Sequence, residues 1–261
     1  MKKTLGLYIH IPFCERKCNY CGFLSFVMKE NNDNYFKLGE NDDIVGETAS
    51  VKDYFDNLLK EIDNRGEYLR DKYVVDTIFI GGGTPSVVDE EYIEKLKKKK
   101  KLHYDVHEDV EITIEANPNS LTEKKIVSYK NAGINRISIG VQSFDDDELR
   151  MLGRLHNEEM AIDKINLCRK LGIENLSVDL IFDLPDQKFE SWHRTLIKAI
   201  SLGVDHISAY SLQIEEGTKF YREFKMGILS TADDEKLRKF YDLAVNELTD
   251  AGYDHYEISN F

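Results

Sequence analysis

The segment LYIHIPFCERKCNYCGF, residues 7–23, joins a strand-like run to a dense group of cysteines. Three of the chain's four cysteines, Cys14, Cys18 and Cys21, lie within eight residues in the spacing C-x3-C-x2-C. Closed iron–sulfur sites use four cysteines, whereas three cysteines on a [4Fe–4S] cube leave one iron open to a small molecule. Basic residues between the first two cysteines favour thiolates and an anionic cluster. The spacing therefore indicates an iron–sulfur site with an open iron.

Other interpretations of the cysteines stay open at this point. A zinc site could take His10 as its fourth ligand, although His10 lies on a predicted strand and no second C-x2-C or H-x3-H pair follows. A disulfide is disfavoured in the cytoplasm, where thiols stay reduced. The remaining cysteine, Cys168, repeats a helical spacing with Ala161 and Ile165, so it is expected in the core.

Composition limits the fold and the class of partner. The chain has 261 residues, 41% of them hydrophobic, which suits one large domain or one domain with a small addition. Its net charge is -13, so no overall positive field exists to attract nucleic acid or an anionic membrane. The N-terminus lacks a signal-peptide pattern, because His10 and Pro12 interrupt its apolar run. No stretch approaches the length of a transmembrane helix, and a cytoplasmic location is expected.

Strand-like runs alternate with helical segments along the chain. The runs are rich in β-branched or aromatic residues and cover residues 6–12, 76–83, 110–118, 136–143, 175–185 and 206–215. Helical periodicity runs from Val51 to Ile62 and from Leu237 to Leu248, and Ser120 with Glu123 matches a capping box at a helix start. This alternation predicts parallel βαβ units in an α/β fold.

Two stretches interrupt the alternation. Residues 29–50 are polar and acidic, which predicts a surface loop. Residues 95–102, KLKKKKKL, predict a solvated helix face, with an acidic partner as the alternative. The expected organisation is a core domain over 1–230 that carries the insertion. Residues 231–261 would then hold a terminal helix and the start of a further C-terminal region.

Polar residues collect at the carboxyl ends of successive predicted strands. GGGTPS, residues 81–86, follows the second strand, but it matches neither a Rossmann fingerprint nor a Walker A loop, and a plain tight turn is the simple alternative. In a parallel barrel the strand ends form the ligand-binding rim, so the group as a whole predicts a site. Its members are Thr84, Glu115, Asn117, Gln142, Ser143, Asp179, Asp183 and Gln213. Taken singly, Arg154 and His156 of LGRLH are expected at the surface.

Six motifs of the chain, taken in order, resemble those of radical S-adenosylmethionine (SAM) proteins, and the resemblance runs from Leu7 to Phe261. The motifs are the cysteine motif, GGGTP, IEANP, SIGVQSF, LGR-x-H and VDLIFDLP. The most similar group is the oxygen-independent coproporphyrinogen III oxidase-like proteins, which include bacterial haem chaperones. The resemblance implies a partial (β/α)6 TIM-like radical SAM barrel with parallel strands, in agreement with the predicted strands. It also implies a [4Fe–4S] cluster that cleaves SAM at the open iron and releases a 5′-deoxyadenosyl radical.

The resemblance further implies roles for individual residues. The cluster ligands are Cys14, Cys18 and Cys21. The residues expected around the methionine part of SAM are Gly82, Gly83, Thr84 and, for its carboxylate, Arg154. Tyr8 is expected beside the cofactor, and Tyr20 beside the cluster and the adenine. Glu115 is expected on the ribose or the amino group, and Gln142 and Asp179 on the ribose hydroxyls.

Departures from the family pattern shape the functional prediction. The oxidases carry a further cysteine two residues after the third, where this chain has Phe23, and a longer N-terminal segment. This favours the haem-chaperone branch, which binds haem and passes it to a haem-requiring enzyme. Oxidative decarboxylation of coproporphyrinogen III is the alternative. A low-potential electron donor is expected in either case, and a haem-accepting protein in the first.

Two further departures concern the backbone and the end of the chain. Asp183 and Asp186 replace two glycines of the family's FGLPGQ, so the local backbone or the detail of the site is expected to differ. Family members continue past YEISNF into a C-terminal domain that covers the site.

Overall fold

The computed structural model describes residues 2–28, 35–36, 49–231 and 233–261, and these contain a parallel sheet of six strands. In chain order the strands are β1 (Lys3–Ile11), β2 (Tyr73–Gly82), β3 (Val106–Ala116), β4 (Arg136–Gln142), β5 (Asn175–Phe182) and β6 (His206–Ser211). Their order across the sheet is the same as their order in the chain. Sequential parallel strands with helical crossovers form a partial barrel, so the predicted α/β fold is confirmed.

Helices connect the strands and follow the last of them. They are α1 (Val51–Leu69), α2 (Glu90–His103), α3 (Glu123–Ala132), α4 (Asp146–Leu152), α5 (Glu158–Lys170), α6 (Phe189–Ser201), α7 (Lys219–Lys225) and α8 (Asp234–Asp250). Short 3-10 turns span Pro85–Val87 and Pro118–Ser120. Both periodic segments predicted as helices are confirmed in α1 and α8. The lysine run lies on α2, but the side chains of residues 97–103 lie outside the described part of the structure.

The predicted capping box at Ser120 and Glu123 is wrong. Thr122 is the N-cap of α3, because its side chain accepts a hydrogen bond from the Lys125 amide. Ser120 instead ends the 3-10 turn that begins at Pro118, and its hydroxyl donates to the Asn117 carbonyl at 3.0 Å. The extra turn moves the helix start by two positions along the chain.

The chain divides into two compact units, which are considered separately. The first comprises Met1–Lys17, Phe23–Ala116 and Thr122–Arg136. Within it β1 pairs with β2 from Lys3 opposite Tyr73 to Ile11 opposite Gly82. This register brings the end of β1 beside the start of the glycine-rich segment.

Helices α1 and α2 pack against each other in the core of the first unit. Val51 and Phe55 of α1 are fully buried, and Phe55 stacks on Tyr92 with ring centroids 4.4 Å apart. The Ser50 side chain accepts from the Asp53 amide and completes a capping box that fixes where α1 begins. The predicted surface loop at 29–50 lies almost entirely outside the described residues.

The second unit comprises Cys18–Gly22, Asn117–Leu121 and Ile137–Phe261. Its β5 and β6 pair from Ser177 opposite His206 to Phe182 opposite Ser211. Trp192 of α6 is fully buried, and its indole Nε1 donates to the Phe240 carbonyl of α8 at 3.0 Å. Helices α6 and α8 therefore share one core.

The final residues and Cys168 also belong to the second unit. Phe261 exchanges backbone hydrogen bonds of 2.9 and 3.0 Å with Ile207 of β6. Cys168 of α5 is fully buried, which confirms the predicted core position. Among the described residues, no helix is both long enough and apolar enough to cross a membrane.

Candidate functional site

The cysteine segment is divided between the two units. Cys14 lies in the first unit, on the two-residue strand Phe13–Cys14, which pairs with Phe26–Val27. Cys18 and Cys21 lie in the second unit, where the Cys21 amide donates to the Cys18 carbonyl at 3.4 Å. Within the described part of the chain none of the three is in a disulfide; Cys14 is buried and the other two are half-buried. The three sulfurs are therefore not consumed by disulfide formation.

In the first unit, the glycine-rich segment lies against Cys14. The amide of Thr84 donates to the Phe13 carbonyl at 2.7 Å, and the Thr84 hydroxyl lies 3.7 Å from Cys14 Sγ. A Cβ on Gly83 would lie 2.6 Å from the Phe13 carbonyl oxygen and 3.0 Å from Cys14 Sγ. The glycine at this position thus permits close approach to the Cys14 strand, which a plain tight turn does not explain.

A carboxylate from the neighbouring strand contacts the same segment. The Gly82 amide donates to Glu115 Oε2 at 2.9 Å, so the end of β3 is tied to the end of β2. Gly82 has a φ of 126°, a backbone conformation that residues other than glycine rarely adopt. Burial, and secondarily the Glu115 charge, raises the pKa of Tyr8 above its ordinary value. Tyr8 therefore remains a neutral phenol beside this carboxylate.

The histidine that a zinc site would require is already engaged. His10 Nδ1 lies 3.0 Å from the Tyr8 hydroxyl, and His10 Nε2 lies 3.3 Å from the Leu24 carbonyl. Among the described residues, no group of three or more His, Cys, Asp or Glu side chains is placed as ligands to a single metal ion. In this conformation His10 is used as a hydrogen-bonding residue of the first unit.

In the second unit, Arg154 is surrounded by acceptors. Its Nη1 donates to Cys18 Sγ at 3.5 Å, and its Nη2 donates to both Asn117 Oδ1 and the Gly140 carbonyl at 2.5 Å. Its Nε is buried and has no hydrogen-bond partner among the described residues. The surface position expected for Arg154 taken singly is wrong, because the side chain reaches inward to the cysteine segment. The guanidinium thus gives the Cys18 sulfur a charged hydrogen-bond donor.

Tyr20 lies beside the same arginine and packs on an apolar cluster. Burial raises the pKa of Tyr20 above its ordinary value, although the Arg154 charge acts in the opposite direction. The cluster against which it packs consists of Leu152, Ile181, Leu184, Leu212, Phe220 and Leu229. Tyr20 is thus a neutral aromatic residue, held between the apolar interior and the cysteine segment.

Gln142 and Asp179 both lie in the second unit. Gln142 ends β4 with a φ of 70° and is 8% exposed. A Cβ on Gly140 would lie 2.8 Å from Gln142 Nε2 and 3.3 Å from Arg154 Nη2, so these two side chains converge over Gly140. Asp179 on β5 accepts from the Ser138 hydroxyl of β4 at 3.4 Å.

The DLPD segment, residues 183–186, has positive φ angles at two positions where the family pattern has glycine. Asp183 and Asp186 have φ values of 60° and 56°, in the left-handed region where glycine is favoured. Aspartate tolerates this region better than most residues. The two aspartates thus take backbone angles that glycine also adopts, and the expected difference in backbone or site detail stays a prediction. The early left-handed turn at Asp183 also ends β5 at Phe182, before the predicted residue 185.

Sequence reasoning missed two buried polar residues near Gln142. His156 was expected at the surface but is 5% exposed, and its Nε2 lies 3.0 Å from the Val141 carbonyl. Glu148 is 7% exposed and accepts from the Ser143 hydroxyl at 2.5 Å. The only advance signal for His156 is its place in LGRLH, because its partner lies 15 positions away in the sequence.

Comparison with curated proteins gives consistent relatives. Heme chaperone HemW of Haemophilus influenzae is 38% identical over 261 residues, which cover 98% of this chain and 62% of the relative. HemW of Bacillus subtilis is 35% identical over 256 residues, covering 97% and 62%. Radical S-adenosyl methionine domain-containing protein 1, mitochondrial, of Danio rerio is 33% identical over 256 residues, covering 98% and 53%. The chain thus spans about three-fifths or less of these relatives.

Solved structures and a family model agree with these relatives. Coproporphyrinogen III oxidase (HemN) of Escherichia coli, described as a radical SAM enzyme, superposes with a TM-score of 0.82 at 26% identity, covering 100% of this chain and 56% of that one. Methylornithine synthase (PylB) shares the fold, with a TM-score of 0.59 at 13% identity over 94% of this chain and 64% of that one. The Radical SAM superfamily model matches residues 8–199. The chain belongs to the radical SAM superfamily, which implies a [4Fe–4S] cluster and SAM as cofactors.

Proposed function

We propose that this chain is the radical SAM core of a haem chaperone, which binds haem and transfers it to haem-dependent proteins. The observation that carries the proposal is its similarity to heme chaperone HemW of several bacteria, at 34–38% identity over nearly the whole chain. Phe23, 72% exposed, stands where the resemblance places a further cysteine in the oxidases. Because the chain spans about 62% of these relatives, haem binding and transfer are proposed for the whole protein.

Cys14, Cys18 and Cys21 are the proposed cluster ligands. The donor set fits a [4Fe–4S] cluster with one open iron, since three cysteines that form no disulfide among the described residues lie on one short segment. Gly83 fits as well, because without a side chain its backbone can lie directly against Cys14 Sγ. Arg154 places positive charge next to Cys18, which favours an anionic thiolate–iron centre. When bound, the cluster supplies the electron for reductive cleavage of SAM.

The residues around the cysteines are proposed to bind and orient SAM. In the first unit, Gly82, Gly83 and Thr84 form a segment that can approach the amino end closely, and Glu115 offers a carboxylate fixed by the Gly82 amide. Tyr8 would lie along the cofactor as a neutral phenol. These groups suit a cationic amino group, because Glu115 carries the only formal charge among them.

In the second unit, the proposed SAM residues provide complementary donors and acceptors. Arg154 would hold the carboxylate through Nε, its donor without a protein partner. Gln142 and Asp179 would bind the ribose hydroxyls, and Tyr20 would flank the cluster and adenine. Burial keeps Tyr20 neutral, so it supplies an aromatic surface and no charge.

The second candidate function is oxidation of coproporphyrinogen III to protoporphyrinogen IX. The superposition on E. coli coproporphyrinogen III oxidase favours it, because it extends over the whole chain. Both functions require a low-potential electron donor, and the haem chaperone also requires a haem-accepting protein. Both are compatible with a cytoplasmic protein.

Anaerobic assays of the reconstituted protein distinguish the two functions. The chain would be studied by itself and extended by the C-terminal domain that the family resemblance predicts. A haem chaperone should bind about one haem per chain and make no protoporphyrinogen from coproporphyrinogen III. Protoporphyrinogen formation coupled to 5′-deoxyadenosine release would favour the oxidase. Absence of stoichiometric haem binding in the extended form would refute the chaperone proposal.

A further inference from the structure

Gln142 adopts a backbone conformation that its own side chain does not favour. Its φ of 70° lies in the left-handed region, and the other non-glycine residues with positive φ in the described structure are the aspartates Asp183 and Asp186. Aspartate can stabilise this region through local hydrogen bonds, but glutamine has no such advantage. The surroundings of Gln142 must therefore determine its conformation, as is common at functional sites.

The residue before Gln142 is held by a buried imidazole. His156 Nε2 lies 3.0 Å from the Val141 carbonyl, which can only accept, so Nε2 carries the proton and donates. Burial, followed by the nearby Arg154 charge, lowers the pKa of His156 to about 4. His156 is thus neutral at pH 7, and it fixes the peptide immediately before Gln142.

The residue after Gln142 is held by a buried carboxylate. The Ser143 hydroxyl donates to Glu148 Oε2 at 2.5 Å. Glu148 also accepts from the Ser191 hydroxyl at 2.6 Å and from Gln187 Nε2 at 3.2 Å. The carboxylate is therefore tied to α6 and to the segment before it, so Ser143 is bonded to an acceptor that is itself immobilised.

We propose that His156 and Glu148 are positioning residues that hold Gln142 in its left-handed conformation, so that its amide is presented to the ribose of SAM. The inference rests on the proposed function, because the ribose contact of Gln142 belongs to that proposal. The Gln142 side chain converges with Arg154 over Gly140, so Gln142 lies beside a proposed cofactor-binding arginine. If the two residues had only a structural role, they would stabilise the chain and have no specific effect on its affinity for SAM.

The test measures SAM affinity of the full chain after anaerobic cluster reconstitution, by equilibrium binding, with iron content and thermal unfolding as separate readouts. His156→Phe removes the donor, and His156→Gln retains a donor near the Nε2 position. His156→Phe should weaken SAM binding on the order of fivefold to tenfold, the worth of one hydrogen bond, and His156→Gln should restore most of it. Iron content should be unchanged in both variants.

A double-variant comparison separates positioning from general stability. In a Gln142→Ala background, His156→Phe should produce no further loss of SAM affinity, because the residue on which it acts is gone. An equal loss in both backgrounds would overturn the proposal, as would wild-type affinity of His156→Phe. If that variant does not fold, Ser143→Ala is a smaller change that removes the hydrogen bond to Glu148. It should weaken SAM binding in the same way.

The matched control is Ser128→Ala. Ser128 is also a buried serine that donates to a glutamate, Glu94 Oε1, at 2.7 Å, but it lies on α3 in the first unit. Its replacement should lower stability and leave SAM affinity unchanged; a loss equal to that of Ser143→Ala would reject positioning. Failure of the wild-type chain to take up a cluster or bind SAM would refute the proposed function instead, so the two failures are distinguishable.

Discussion

Arg154 donates a hydrogen bond from Nη1 to the sulfur of Cys18 at 3.5 Å, across 136 positions of the sequence. A positive charge beside a cluster ligand stabilises the reduced, more negative cluster. Arg154→Gln should therefore make the reduction potential more negative by tens of millivolts, where about 59 mV corresponds to a tenfold change for one electron. A redox titration followed by electron paramagnetic resonance measures this shift.

Arg154→Lys is the control for that prediction, because it keeps the charge while losing the planar donor group. Its potential should stay closer to that of the wild type. An Arg154→Gln protein with a full cluster and an unchanged potential would show that the arginine does not influence the cluster.

Gly83→Ala tests the close approach of the glycine-rich segment to Cys14. The added Cβ would meet a backbone oxygen at 2.6 Å, so the two segments must separate, at a cost of about 1–3 kcal/mol. Iron bound per folded chain should fall, as measured by iron analysis after reconstitution. Gly133→Ala provides the comparison, since a Cβ there meets nothing within 4 Å and only the backbone, with φ 87°, is strained. It should lose stability and keep its iron.

His156 predicts a specific dependence of stability on pH. Its folded pKa of about 4 lies below the ordinary value of 6.5, so the unfolded chain takes up its proton first as the pH falls. The contribution of neutral His156 to the free energy of unfolding is therefore present above pH 6.5 and is lost between about pH 6.5 and 4. The loss from pH 7 to pH 5 is about 2 kcal/mol.

Urea unfolding of the chain at these two pH values checks the prediction. His156→Gln cannot titrate in this range, so its loss of stability between pH 7 and 5 should be smaller than that of the wild type by this amount. Parallel behaviour of the two proteins would contradict a buried neutral imidazole.

The left-handed backbone of Asp186, an exposed residue, leads to an expected order of stability for the wild type and two variants. Its φ of 56° suits glycine and strains alanine. Asp186→Gly should be as stable as the wild type or more stable, by up to about 1 kcal/mol, whereas Asp186→Ala should be less stable. Thermal unfolding of the three proteins measures the order, and an alanine variant more stable than the glycine variant would contradict the assigned backbone.

Local patterns predicted the elements of the fold better than the contacts of the site. The β-branched runs and helical periodicities identified the strands and the helices α1 and α8, because period and burial are encoded residue by residue. The start of α3 was misplaced, since Pro118 inserts a 3-10 turn before Thr122. Motif order also located the site residues, whose roles stay predictions.

Side-chain partners that are distant in sequence could not be anticipated. Glu148 collects its hydrogen bonds from Ser143, Gln187 and Ser191, the last two about 40 positions away. Nothing local distinguishes it from the exposed acidic residues around it in FDDDELR. The left-handed φ of Gln142 could not be predicted for the same reason. Its neighbours Val141 and Ser143 are hydrogen-bonded to His156 and Glu148, which come later in the sequence.

The central claim is that three cysteines hold a [4Fe–4S] cluster with one iron open to SAM. Cys168 supplies an internal control, because burial raises its pKa to about 12 and keeps it a thiol in the core. Iron and sulfide should each be present at about four per chain after anaerobic reconstitution of the wild type and of Cys168→Ser. Serine variants of Cys14, Cys18 and Cys21 should each fail to retain the cluster. A full cluster in any one of those three variants, or its loss in Cys168→Ser alone, would contradict the account.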